Sequence, residues 1–311
     1  MPDTTKPAKK PRSPRKAKAE QPDTTPAIKA FDADFSCRGH QFEVGKTYEV
    51  SGKVELCENG FHACHAHPLD VWRYYPVVDD RGRLTRYADV QQGGARDIGE
   101  DKTASARISI VAEIDLAALV RRSVAFVLDL VKGVAADVPV DADDARIGSS
   151  GNGAQIGSSG NDAQIGSSGY GARIGSSGND ARIGSSGNGA QIGSSGYGAR
   201  IGSSGNDAQI GSSGNGARIG SSGNDARIGS SGNDARIGSS GYGARIGSSG
   251  NDATIACAAR DAVVTLGPGG CAALAWHDGK RVRFATIYEG EDGIKAGAAY
   301  RVRDGRVVEV A

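Results

Sequence analysis

Aromatic residues are scarce in this chain: they make up 5% of it, with two Trp and six Phe, and Met occurs once. Cores built on large side chains are therefore confined to short stretches. No apolar run reaches the roughly eighteen residues that a membrane-crossing helix needs. The N-terminal segment has no apolar signal core, so neither export nor membrane insertion is expected. Five Cys, an odd number, do not suggest a disulfide framework, and a reducing cytoplasm is the default expectation. A net charge of +1 argues against a molecule that binds polyanions over its whole surface.

What the chain has in quantity is glycine, 47 residues of it, and it is ordered. A nine-residue word, A-R-I-G-S-S-G-N-D, recurs with small edits through the second half. Its isoleucines fall at Ile147, Ile156, Ile165, Ile174, Ile183, Ile192, Ile201, Ile210, Ile219, Ile228, Ile237, Ile246 and Ile255 without a slip, each preceded by Ala two places earlier. The frame extends to Ala136/Val138 before these copies and Ala262/Val264 after them. A fixed period this short marks a solenoid. A flexible linker has no need of a branched aliphatic in strict register, and Gly-Ser-Ser-Gly breaks a helix at every turn. Within A-x-I-x-S the side chains alternate as in a short strand, with Ala, Ile and the first Ser on one side and Arg or Gln and Gly on the other. The S-G-N-D or S-G-N-G that follows is turn chemistry.

The expected fold is mostly β: a parallel, β-roll-like solenoid over 134–266 with two nine-residue repeats per coil. At about 4.8 Å per coil, roughly seven coils make a rod about 34 Å long. The thirteen isoleucines form its structural core. The outward row, Arg173, Arg182, Gln191 and Arg200 among others, is expected to be a solvated, charge-balanced face. A row of Thr, which an ice-binding face needs, is missing. The G-N-D step resembles the calcium-binding nonapeptide repeats of secreted toxins. However, Ser149-Ser150 and its copies replace the glycine pair, and the Asp becomes Gly at 153, 171, 189, 198, 216 and 243. Those changes remove ligands, so calcium is not expected.

The flanks carry the rest. Residues 1–26 are Lys/Arg- and Pro-rich and are expected to be a disordered basic tail. KKPRSPRK is the one stretch suited to nucleic acid, with a solubilising tether as the plainer reading. Residues 27–114 read as a small α+β domain with strands near 27–31, 41–50, 53–57, 60–64, 86–91 and 106–114. They also hold a short helix opened by Pro68 and a polar loop over 92–104. Residues 115–133 form an amphipathic helix with Leu116, Leu119, Val120, Val124, Val127, Leu128 and Val131 on one face, Asp115 as cap and Gly133 as stop. Placed directly before the first coil, it is expected to cover the solenoid's end. Residues 267–311 read as a small β cap with hairpin turns at Asp278-Gly279 and Asp304-Gly305.

Reactive residues are dense only in the N-terminal domain. Cys37, Cys57, His62 and Cys64, with His40, His65 and His67 nearby, have the softness and number for a tetrahedral zinc site, but no standard ligand spacing. Buried structural Cys with surface His is the alternative. Apart from zinc no cofactor is expected. The stretch SCRGHQFEVGKTYEV…LCENGFHACHAHPLDVWRYYP resembles an N-terminal domain of unknown function found in bacteriophage and prophage proteins, where nine-residue Gly/Ser/Ala repeats and a short β C-terminus follow. The resemblance implies phage or prophage origin, placing the protein in a bacterial cytoplasm or on a virion, and brings no activity. The order of elements is also similar to the ADP-ribosyltransferase layout. That likeness implies that Arg38 and His62 bind a nicotinamide dinucleotide and Glu113 catalyses, although Ala63-Cys64 stand where a Ser-Thr-Ser step is expected. The preferred expectation is a non-catalytic structural or interaction protein. Its solenoid would act as spacer or display surface, and its partner would be another protein or a second copy.

Overall fold

The computed structural model describes residues 24–131 and 141–310. Residues 1–23 of the basic tail, Gly133 and the Ala136/Val138 frame lie outside the described residues, while Thr24, Thr25 and Pro26, expected to belong to the disordered tail, open a strand instead. The N-terminal domain contains β1 (Thr24–Phe31), β2 (Ser36–Cys37), β3 (His40–Gln41), β4 (Thr47–Glu49), β5 (Phe61–Cys64), β6 (Arg86–Ile98) and β7 (Lys102–Ile114). β1 pairs antiparallel with both β5 and β6, and β7 does the same, so these four strands close on themselves, with β4 beside β7. Phe31, Val90, Ile108 and Ile110 fill the interior.

Several expectations fail here, among them the single strand over 41–50, of which only Gln41 and Thr47–Glu49 are extended. Residues 92–104 are not a loop: β6 and β7 run through them as one long hairpin, with a register shift between Gly93 and Arg96. Polar residues signal solvent on one strand face as readily as a loop. Residues 53–57 form no strand, only an isolated bridge between Glu55 and Asn59, and Cys57 takes a positive φ of 68°. The segment opened by Pro68 is a 3-10 helix, Pro68–Arg73, capped by His67 and burying Leu69, Asp70, Val71 and Trp72.

The array forms fourteen strands, β8 (Arg146–Ser149) to β21 (Val263–Thr265), alternating between two parallel sheets in about seven coils. Like pairs with like eighteen residues on: Ile165 lies between Ile147 and Ile183, and Ile174 between Ile156 and Ile192. Twelve of the thirteen isoleucines are buried, and Ile147 in the first coil is partly buried. Each interior Ile withdraws about 1.5–3 kcal/mol worth of apolar surface from water.

The corners explain the rest of the word. The position that alternates between Asp and Gly is left-handed in every copy, as at Asp180 (φ 54°), Gly189 (φ 66°) and Asp207 (φ 56°). Those two residue types tolerate that conformation, which accounts for their exchange. The Asn before it accepts, through Oδ1, the backbone N–H of the residue eighteen places on: Asn179 N to Asn161 at 3.0 Å, Asn206 N to Asn188 at 2.9 Å. Tyr170, Tyr197 and Tyr242 interrupt these ladders, since a tyrosine offers no acceptor there, and their rings stand exposed. Past Leu266 the sheets end in hairpins. β22 (Cys271–His277) continues the first sheet in parallel and folds back as β23 (Val282–Tyr288). In the second, β24 (Ala299–Arg303) lies antiparallel to the last repeat strand and folds back as β25 (Arg306–Glu309). Ile287, Ile294 and Tyr300 close that end of the core.

The helix, α1 (Leu116–Val131), begins where expected, with Asp115 Oδ1 accepting from Ala118 N at 2.6 Å. It does not cover the end. It lies along the flank of the second sheet, the one carrying Ile156 to Ile246, touching four successive strands. Amphipathicity shows that one face must be buried, and says nothing about which surface buries it.

Candidate functional site

Two places have the features of a site: a cavity inside the N-terminal domain and the two outer faces of the solenoid. The cavity, about 240 Å³, is lined from β1, β5 and the β2–β3 turn. Lys29 points into it from a strand that otherwise buries Ala27, Ile28, Ala30 and Phe31. Its Nζ donates to the His62 carbonyl (3.1 Å) and to Cys37 Sγ (3.3 Å). Tyr75 OH also donates to Cys37 Sγ, at 2.9 Å. Burial and this contact push the Tyr75 phenol well above its ordinary range. Arg38 and Gly39 form the two-residue turn between β2 and β3, both at positive φ (52° and 77°). Lys102 enters from β7, its Nζ 4.0 Å from the Tyr74 ring centre. Burial first, then Lys102, Lys29 and Arg38, hold His62 below the usual imidazole range.

Of the residues singled out in the sequence, Arg38 and His62 meet in this cavity and Glu113 does not. Glu113 accepts a fork of two 2.6 Å bonds from Arg86 and lines a separate depression with Val77, Leu84 and Ser231. The three residues named for the transferase layout do not converge. The zinc set is also split. Cys37, His62 and Cys64 line the cavity, and burial first pushes the Cys64 thiol up to about 12. Cys57 is exposed, its Sγ held by Lys102 at 3.3 Å and its N–H given to His62 Nε2 at 2.9 Å. Among the described residues no three His, Cys, Asp or Glu side chains are grouped closely enough to hold a metal. His65 and His67 have other partners, Thr103 and Leu69 N. Lys29 and Lys102 were missed in the sequence. A lone lysine inside A-I-K-A-F was the available signal.

The solenoid faces are written in the same word but used differently. On the second sheet each outward Gly receives part of the N-terminal domain. A Cβ there would lie 3.0 Å from Val127 at Gly157, from Val124 at Gly175, from Val120 at Gly193 and from Trp72 at Gly211, and 2.9 Å from Leu84 at Gly229. On the first sheet Gly148, Gly166, Gly184, Gly202, Gly220 and Gly238 have, among the described residues, nothing within 4 Å of that position. The expected solvated row is therefore half wrong. Arg182 and Arg200 are exposed, while Arg173 and Gln191 are buried under the N-terminal domain. Arg173 pairs with buried Asp70. Gln209 Nε2 donates to the Trp72 carbonyl (2.9 Å), and Arg227 donates to the Val78 carbonyl (2.9 Å) and to Asp80 (2.8 Å).

His67 sits at this junction. Its Nδ1 accepts from Leu69 N at 3.1 Å, so the proton is on Nε2, 3.3 Å from Ser123 Oγ. Burial, then Arg173 and Arg73, lower it from 6.5 to about 4. Below the unfolded value the unfolded chain takes a proton that the folded chain refuses, so the contribution is intact above pH 6.5 and falls as pH drops toward 4. The fall is on the order of 3 kcal/mol. His67→Asn keeps a capping acceptor. Urea midpoints at pH 7 and pH 4.5 should therefore separate more for the native chain than for this variant.

A family model described as a domain of unknown function (DUF7666) matches residues 25–122, which include the whole cavity and the start of α1. The uncharacterized protein YdhT of Escherichia coli (strain K12) is 61% identical over 41 residues, 13% of this chain and 15% of that protein. No solved structure matches. Among the described residues no helix is long and apolar enough to cross a membrane.

Proposed function

We propose that this is a non-catalytic interaction protein of phage or prophage type, acting in a bacterial cytoplasm or on a virion. Its solenoid is a rigid spacer that holds the N-terminal domain on one face and displays the other to a protein partner or a second copy. The observation that carries this reading is the difference between the two glycine columns, one filled by the chain itself and one open. Arg182, Arg200, Arg218 and Arg236 run up the open face, with no carboxylate in ion-pair reach among the described residues. The phage assignment rests on the motif resemblance and on the repeats that follow it. The transferase reading is weaker because Glu113 is engaged by Arg86, away from Arg38 and His62.

A spacer must keep its ends in fixed relation, and that can be tested. Deleting residues 210–227 removes one coil and leaves every later copy on its own face. Deleting 210–218 moves each later copy, and the hairpins, to the opposite sheet. The first variant should fold cooperatively, with its long dimension in solution scattering shortened by about 4.8 Å. The second should lose cooperativity. A longer deletion that leaves a floppy chain, or scattering from the native protein that fits a flexible tether, would overturn the spacer reading.

A further inference from the structure

We infer that the cavity of the N-terminal domain is a binding site for a small organic anion: one carboxylate or phosphate on a compact apolar or planar body. The inference is independent of the spacer reading. Three of the lining residues, Lys29, Arg38 and Lys102, are cationic, and among the described residues no Asp or Glu lines the cavity. Lys29 is the strongest sign. It is 5% exposed, yet its ammonium has only a carbonyl, a thiol and the faces of Phe31 and Phe42 (5.4 and 5.6 Å) around it. No carboxylate is in ion-pair reach of it among the described residues. A buried charge without a counter-charge is costly, and an entering anion offsets that cost.

Arg38 is the second sign. Its left-handed position in a two-residue turn favours Asn, Asp or Gly, so an arginine there is held against its own preference, beside the cavity. A guanidinium can take a carboxylate or phosphate through two parallel bonds. The third sign is the positive field at His62, lowered in part by the same three cations. The remaining walls, Ile28, Phe42, Phe61, Val71, Tyr74 and Tyr75, are apolar or aromatic and suit the body of the ligand rather than its charge. A bare inorganic ion would leave those walls unused.

The test is calorimetry on the full chain with phenyl phosphate and benzoate as probes and benzamide as the neutral match. At least one anion should bind, and the stronger of the two identifies the head group. Lys29→Met, which keeps the apolar stem, and Arg38→Gly, which suits the turn, should each weaken it at least tenfold. Thermal melts check both variants. If Lys29→Met does not fold, Arg38→Gly and Lys102→Gln carry the comparison. The inference is overturned if neither anion binds the native protein, if benzamide binds as well as the anions, or if folded variants bind unchanged.

Discussion

Gly205→Ala is expected to lose at least about 3 kcal/mol of stability, whereas Gly202→Ala, three residues away, changes it by less than about 0.5 kcal/mol. A Cβ on Gly205 would lie 2.1 Å from the Gly187 carbonyl oxygen in the neighbouring coil, and one on Gly202 would meet nothing within 4 Å. The same collision recurs up both corners, at 1.9 Å for Gly196 and 1.8 Å for Gly214. The sequence avoids it wherever coils lie on both sides. Ala142 stands at this position in the first coil and Ala259 in the last, where the chain turns back into a hairpin. Even there the Gly243 N to Arg260 O bond stretches to 3.3 Å, against 2.7 Å for Asp180 N to Tyr197 O. The open position, by contrast, already holds Ala256 in register with Gly238. Chemical denaturation of the two variants checks the pair. Equal stabilities would mean that the coils are not stacked this closely.

Asp70→Ala should cost about 3–5 kcal/mol, because it leaves Arg173 buried without its partner. The Asp70 side chain is 3% exposed and that of Arg173 10%. Asp70 also accepts from His67 N at 3.1 Å, closing the start of the 3-10 helix. Arg173→Gln should be much milder, since Gln191 and Gln209 occupy the matching positions in later coils of the same sheet. The double variant should therefore recover stability over Asp70→Ala, with a coupling of about 0.5–3 kcal/mol. Strictly additive urea midpoints would show that the two side chains do not act as a pair.

The solenoid was legible because its signal is redundant. Thirteen isoleucines in one frame specify which side faces inward, and alternation then assigns Ala and the first Ser to the same side. The terminal hairpins were legible through Asp304 and Gly305, which take φ of 48° and 76° in the turn they announce. The destination of α1 was not legible. A word repeated identically on two faces conceals which face is covered, and only a comparison of alternate copies, with Gln155, Gln191 and Gln209 on one side, hints at a difference. In the site, Arg38 and His62 stood out as chemistry-bearing residues. Their company did not, because Lys29 and Lys102 come from separate strands that only the closed sheet brings together.

The hairpins at the C-terminal end also decide what the rod cannot become. A parallel stack is a short length of cross-β fibril, and its last strand is a template on which an identical chain could add. Here β23 runs against the stack and ends the first sheet with a reversed strand, while the second sheet reverses at β24 and ends on β25, which runs with the stack again. A second molecule offering its first coil therefore meets the wrong polarity in the first sheet and cannot extend both sheets of the stack in parallel at once. The number of coils stacked in register on both sheets is thereby set by the repeats in the chain rather than by concentration.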